Sequence, residues 1–106
     1  MTLRSTKATT YLVEQYLPHA TEAEVEPWVV ALAEAATAIT ATGTPVRSRC
    51  SILVPDDDLC FHVLAAASPK AAARAAELAG ITPERTIEAT AWWPSRRFNS
   101  SRKDQR

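Results

Sequence analysis

The sequence predicts an α+β fold, a ferredoxin-like βαββαβ sandwich with two helices on one face of a four-stranded antiparallel sheet. Three observations carry that reading. Four short runs rich in β-branched and aromatic residues alternate with two alanine-rich helical stretches in the order βαββαβ. The second and third runs are joined by Pro55-Asp56-Asp57-Asp58, a turn that makes them a hairpin. Right-handed crossovers then give the strand order 4-1-3-2.

Each element has its own local signal. "TTYLVEQYL" (9–17) is strand-forming and ends at Pro18-His19. Thr21 and Glu24 have capping-box spacing, and Val25, Val29, Leu32, Ala36 and Ile39 recur at helical intervals up to Gly43. Pro27 lies beyond the free first turn of a helix capped at Thr21. The expectation is a separate turn or kink at 21–25 and a main helix over about 26 to 42. "PVRSRCSILVP" (45–55) and "LCFHVLAAA" (59–67) form the hairpin strands. In "SPKAAARAAELAG", Ser68 is an N-cap, Pro69 takes the first helical position and Gly80 follows the last turn. "RTIEATAWW" (85–93) is the fourth strand.

The chain has 106 residues, enough for one domain with a thin core that oligomerisation would supplement. Three stretches are expected: a flexible basic N-terminus (1–9), the folded domain (10–93) and a basic, disordered tail (94–106). The tail carries Arg96, Arg97, Arg102, Lys103 and Arg106 against Asp104. The net charge of zero therefore conceals an acidic body between basic ends. The tail has one aromatic, Phe98, and no alternation of bases with aromatics, which argues against nucleic acid as a partner. No apolar run is long enough to span a bilayer, and residues 1–9 lack the apolar core of a secretory signal, so a cytoplasmic protein is expected. There is no CxxC, HExxH or glycine-rich phosphate loop.

Period-two alternation sorts the strand residues into faces. With the more apolar set turned to the helices, Tyr11, Val13, Cys50, Ile52, Phe61, Val63, Ile87, Ala89 and Ala91 are core. The opposite, open face then holds Leu12, Glu14, Tyr16, Arg47, Arg49, Ser51, Leu53, Cys60, His62, Leu64, Glu88 and Trp92. A turn at Asp56-Asp57 pairs Cys50 with Val63 and Cys60 with Leu53, so the two thiols point to opposite faces and form no disulfide. Cys50 reads as a small buried hydrophobe. Leu12, Tyr16, Leu53, Leu64 and Trp92 would leave an apolar patch on the open face, which predicts a homodimer, sheet against sheet, of the dimeric α/β-barrel kind.

Polar groups on that face give the candidate site. His62, Glu14 and Glu88, with Arg49 beside them, would meet in the inter-sheet cavity, either as an ion-pair network or as metal ligands. Imidazole and carboxylate suit nickel or another divalent ion. Cys60 would add a thiol, although Cys60 and His62 stand about 7 Å apart along one strand. His19, in the loop after the first strand, is a solvated histidine or a further ligand.

The stretches "YLVEQYLP" (11–18), "GTPVR" (43–47), "VPDD" (54–57), "CF" (60–61), "AGI" (79–81) and "RTIEA" (85–89) resemble small nickel-binding, nickel-responsive proteins of ferredoxin-like fold. The resemblance covers about residues 10–91. It implies a homodimer that binds nickel and has no established enzymatic activity, with Glu14 and Glu88 in matching stretches. Similar proteins carry a histidine in the second helix, whereas 71–80 has none. That shifts any liganding to His62, His19 and the glutamates. The function expected is a non-enzymatic metal-binding dimer. The alternative is a dimeric α/β-barrel enzyme or small-ligand module that uses the inter-sheet cavity.

Overall fold

The computed structural model describes residues 8–92. Residues 1–7 and 93–106 lie outside the described residues, and with them the tail 94–106 and all but the last two residues of the N-terminal stretch 1–9; Thr9 already belongs to the first strand. The elements run β1 (Thr9–Tyr16), α1 (Glu22–Ala41), β2 (Val46–Val54), β3 (Leu59–Ala66), α2 (Pro69–Leu78) and β4 (Arg85–Ala89). A single 3-10 turn, Pro55–Asp57, followed by Asp58 in the left-handed region, closes the hairpin. All pairings are antiparallel, and the open sheet has the order β2-β3-β1-β4, the expected order read from the other edge. β4 is shorter than expected, so Ala91 and Trp92 lie beyond it, with Trp92 84 % exposed.

Helix α1 starts earlier than expected and needs no separate turn. Thr21 accepts from the Glu24 amide, and the Glu24 carboxylate accepts from the Thr21 amide, a complete capping box. Pro27 sits inside the helix. The carbonyl that loses its partner belongs to Ala23, and both residues are exposed, so the group is left within reach of solvent and not buried without a partner. Helix α2 follows its sequence signals. Ser68 accepts from the Ala71 amide, Pro69 opens the helix, and Gly80 takes the positive φ that ends it.

Both helices pack on one sheet face. Leu32, Ala36 and Ile39 of α1 and Ala71, Ala72, Ala75 and Ala76 of α2 share a core with Tyr11 and Val13 (β1), Val46 (β2) and Leu64 and Ala66 (β3). The helices present mostly alanine to the sheet, which lets their backbones approach it closely.

This core corrects the face assignment. Cross-strand partners share a face, and Tyr11 pairs with Leu64 and Val13 with His62. β1 has the expected phase, but Cys60, His62 and Leu64 turn towards the helices, and Phe61 and Val63 turn away. In β2 the register shifts between Ser48 and Cys50, with Arg49 the extra, exposed residue. Beyond that bulge Ser51 and Leu53 face the helices, while exposed Cys50 and Ile52 face away. In β4, Glu88 pairs with Tyr11 and Ile87 with Leu12, so this strand is reversed too. The hairpin register itself is as expected, with Cys50 opposite Val63 and Leu53 opposite Cys60.

Replacing the cap is a direct test of how α1 begins. Thr21→Ala is expected to cost about 1 kcal/mol in a urea titration. A loss near zero would place the working start of the helix after Pro27.

Candidate functional site

The polar residues fall into two groups on opposite faces of the sheet. Beneath α1, three adjacent strands contribute Gln15 (β1), His62 (β3) and Ser51 (β2). The His62 ring is fully buried. Its Nε2 lies 2.8 Å from Gln15 Oε1 and its Nδ1 lies 2.7 Å from Ser51 Oγ. A carbonyl oxygen can only accept, so Nε2 carries the proton and Nδ1 accepts from the Ser51 hydroxyl. Both nitrogens are thereby satisfied, as a buried imidazole requires.

Burial lowers the His62 pKa from 6.5 to about 4, because nothing close by compensates a charged ring. The ring is therefore neutral at physiological pH. Cys60 is buried nearby on the same face, and burial pushes its thiol up, away from the thiolate form. Ser51 also borders a groove of about 350 Å³ lined with Glu22, Val25, Glu26, Val29 and Leu53. A hydroxyl bonded to an imidazole has the outline of a nucleophile and its base. Here the far end of the relay is a neutral amide, so charge appearing on the ring would meet no carboxylate. The arrangement is that of a satisfied core histidine.

The second group lies on the face without helices. Two rows of cross-strand neighbours define it. One is Cys50, Val63, Leu12 and Ile87; the other is Ile52, Phe61, Glu14 and Arg85. Tyr16 follows, paired with Leu59. Ile52 is 50 % and Tyr16 55 % exposed. Glu14 is only 7 % exposed and accepts from Arg85 Nε at 3.2 Å.

The expected ligand set is thus separated. His62 and Cys60 lie under the helices and Glu14 on the other face, with the sheet between them. Glu88 is exposed at the outer strand on the helix side. His19 is exposed in its loop at positive φ, its amide donating to Asp58 Oδ1 at 3.1 Å. Among the described residues no three His, Cys, Asp or Glu side chains gather where an ion could be held. The donors of a single copy do not fit nickel: both His62 nitrogens are engaged, and Glu14 already faces a guanidinium. Of the expected interface residues, Leu12 and Tyr16 lie on the open face. Leu53 and Leu64 lie on the helix side, Arg49 sits at the bulge, and Trp92 follows the sheet.

Sequence alternation singles out neither Gln15 nor Arg85, and it puts Ser51 on the opposite face from the one it occupies. Gln15 was the recoverable one. It shares the phase of Tyr11 and Val13, and an amide in a core position demands a partner on the adjacent strand.

No family model matches the chain, and no curated protein matches it. Among solved structures, it is similar to SCO4226 from Streptomyces coelicolor A3(2), with a TM-score of 0.63 and 13 % identity over 79 % of this chain and 99 % of that one. At that identity the likeness concerns the fold. No helix among the described residues is long and apolar enough to cross a membrane.

The buried ring makes stability depend on pH. The folded chain keeps His62 neutral down to about pH 4, while the unfolded chain protonates near 6.5. The contribution is complete above pH 6.5, falls as pH drops through that window, and is gone below about 4, a change of about 3 kcal/mol. Urea midpoints at pH 7, 5 and 4 should show this slope, and His62→Gln should flatten it. An equal slope in the variant would assign it to carboxylates instead.

Proposed function

We propose that the protein is a non-enzymatic homodimeric binding domain of the ferredoxin-like, dimeric α/β-barrel kind, closing on a second copy through the open sheet face. One observation carries the reading. The sheet turns its more apolar side away from its own helices: Leu12, Tyr16, Cys50, Ile52, Phe61, Val63 and Ile87 lie on the uncovered face. Such a surface marks an interface. A second copy is the occupant favoured by the composition of the face. The chain has a formal net charge of zero, and the face is mainly apolar with both signs on it, Glu14 against Arg85 and Arg47, so each copy can offer the other a partner for its charges. A two-fold axis makes the patch self-complementary.

Glu14 supplies the chemistry of the cavity between the sheets. It is a carboxylate on a central strand, largely screened from water and surrounded by apolar neighbours. Nickel, the ligand that the sequence resemblance implies, finds its donor there rather than at His62. Each copy would contribute one carboxylate, and Arg85 would have to release Glu14 for the ion to be held. The site is then a property of the pair.

The dimer is tested by sedimentation equilibrium. The wild type should run at twice the chain mass, and Ile52→Glu with Leu12→Glu should give a folded monomer. A monomeric wild type at micromolar concentration would overturn the interface.

Nickel binding is tested separately by calorimetry. Micromolar binding should be seen for the wild type, lost in Glu14→Gln and kept in His62→Gln. Absence of binding in a proven dimer would remove the metal and leave the interface standing.

A further inference from the structure

Helix α1 has an unusual charge pattern for a solvent-facing helix. Its twenty residues include Glu22, Glu24, Glu26 and Glu34 and no lysine or arginine. All four carboxylates are exposed, and no ion pair among the described residues reaches Glu22, Glu26 or Glu34. Glu24 is engaged in the cap. Along one face of the helix Ala23, Pro27, Val30 and Ala31 form a shallow, open apolar groove, with Glu26 and Glu34 beside it. Val30, at 52 % exposed, is a large β-branched side chain that the fold leaves uncovered.

The chain supplies a complement. Residues 94–106 carry five cations, one anion and the single aromatic Phe98, with Arg96 and Arg97 before it and Arg102 and Lys103 after it. The point of departure suits the target. β4, the edge strand on the far side of the sheet from β2, ends with Ala89 opposite Thr10, at the end of the sheet where β1 begins. α1 ends at that same end, across the width of the sheet: the Thr40 hydroxyl bonds the Val46 carbonyl, and Val46 lies in register with Ala66 and Thr9. Residues 93–106 can span about 46 Å when extended. α1 is about 30 Å long.

We infer that the C-terminal segment 94–106 docks along the acidic outer face of α1 in the same chain. Phe98 seats in the groove over Val30, and the flanking cations meet Glu34 on one side and Glu26 on the other. The contact is electrostatic in range and apolar at its centre, so salt weakens it without abolishing the anchor. It is independent of the sheet-face dimer, because α1 covers the opposite side of the sheet.

Limited trypsin digestion of the full chain tests it, with cleavage at Arg96, Arg97, Arg102 and Lys103 followed by mass spectrometry. A synthetic peptide of residues 94–106 gives the reference rate for a free segment. In about 20 mM salt, cleavage in the chain should be about fivefold slower than in the peptide. The protection should shrink in about 0.5 M salt and disappear in Glu26→Lys/Glu34→Lys, exposed changes checked for folding by circular dichroism. Phe98→Ala should lose part of it at every salt concentration. Cleavage at the peptide rate in the wild type would overturn the proposal, as would protection that survives the double charge reversal. Protection that appears only as protein concentration rises would place the segment on a second copy and overturn docking within the chain.

Discussion

The hydrogen-bonded series Gln15–His62–Ser51 holds the sheet in the register that everything else inherits. It spans β1, β3 and β2, three of the four strands, and uses each imidazole nitrogen once. A one-residue slip of β3 would turn His62 out and bring Phe61 under the helices. It would also strand the Gln15 amide and the Ser51 hydroxyl beneath α1 without a partner, at the full cost of burying them dry. The apolar pattern alone would have tolerated that slip. The polar residues are what distinguish one register from the other.

The helices explain why the sheet can turn its less apolar side inward. Ala35 and Ala36 of α1 and Ala71, Ala72, Ala75 and Ala76 of α2 are buried, and small side chains leave little room between helix and sheet. One aromatic, Tyr11, already occupies that layer, and a second beside it would overfill it. Phe61 therefore lies on the other side, with Ile52 and Leu12. The hydrophobic material that a small domain needs is divided between a thin interior and an exterior face, and the second half does useful work only when another surface covers it.

The connectivity was legible in the sequence because it rests on local chemistry. Capping residues, Pro69, Gly80 and the aspartate turn locate the helices and the hairpin, and strand order follows from handedness. Even the hairpin pairing of Cys50 with Val63 could be read. The extent of α1 could not, since nothing in the sequence says that the carbonyl opposite Pro27 faces water. Faces failed for two further reasons. Ranking strand faces by hydrophobicity assumes that the helix-covered side is the more apolar, and here it is not. The bulge at Arg49 also reverses the phase of β2 halfway along, so simple alternation holds at Arg47 and fails from Ser51 onwards. The candidate site followed the faces. Once His62 is under α1, the pairing of His62 with Glu14 dissolves, although both residues are buried for the reasons that made them conspicuous.

What remains is the manner in which such a sheet can associate. Two routes are open to an uncovered sheet, addition at an edge or stacking of faces. The edges here are poor templates. β4 is five residues long and exposes Arg85 and Glu88. β2 is interrupted by its bulge and exposes Arg47 and Arg49. Short strands, charges and bulges are the features that block edge pairing. The face offers more to a partner: one row, Cys50, Val63, Leu12 and Ile87, is apolar throughout, and the buried carboxylate of the next row is matched by Arg85. Stacking under a two-fold axis also terminates after two copies, whereas edge addition would propagate. The same residues that discourage sheet extension therefore favour the proposed face-to-face pair over an open array. In the proposed pair Glu14 would lie between two apolar surfaces, and a bound cation there would take the place that Arg85 holds in the single copy.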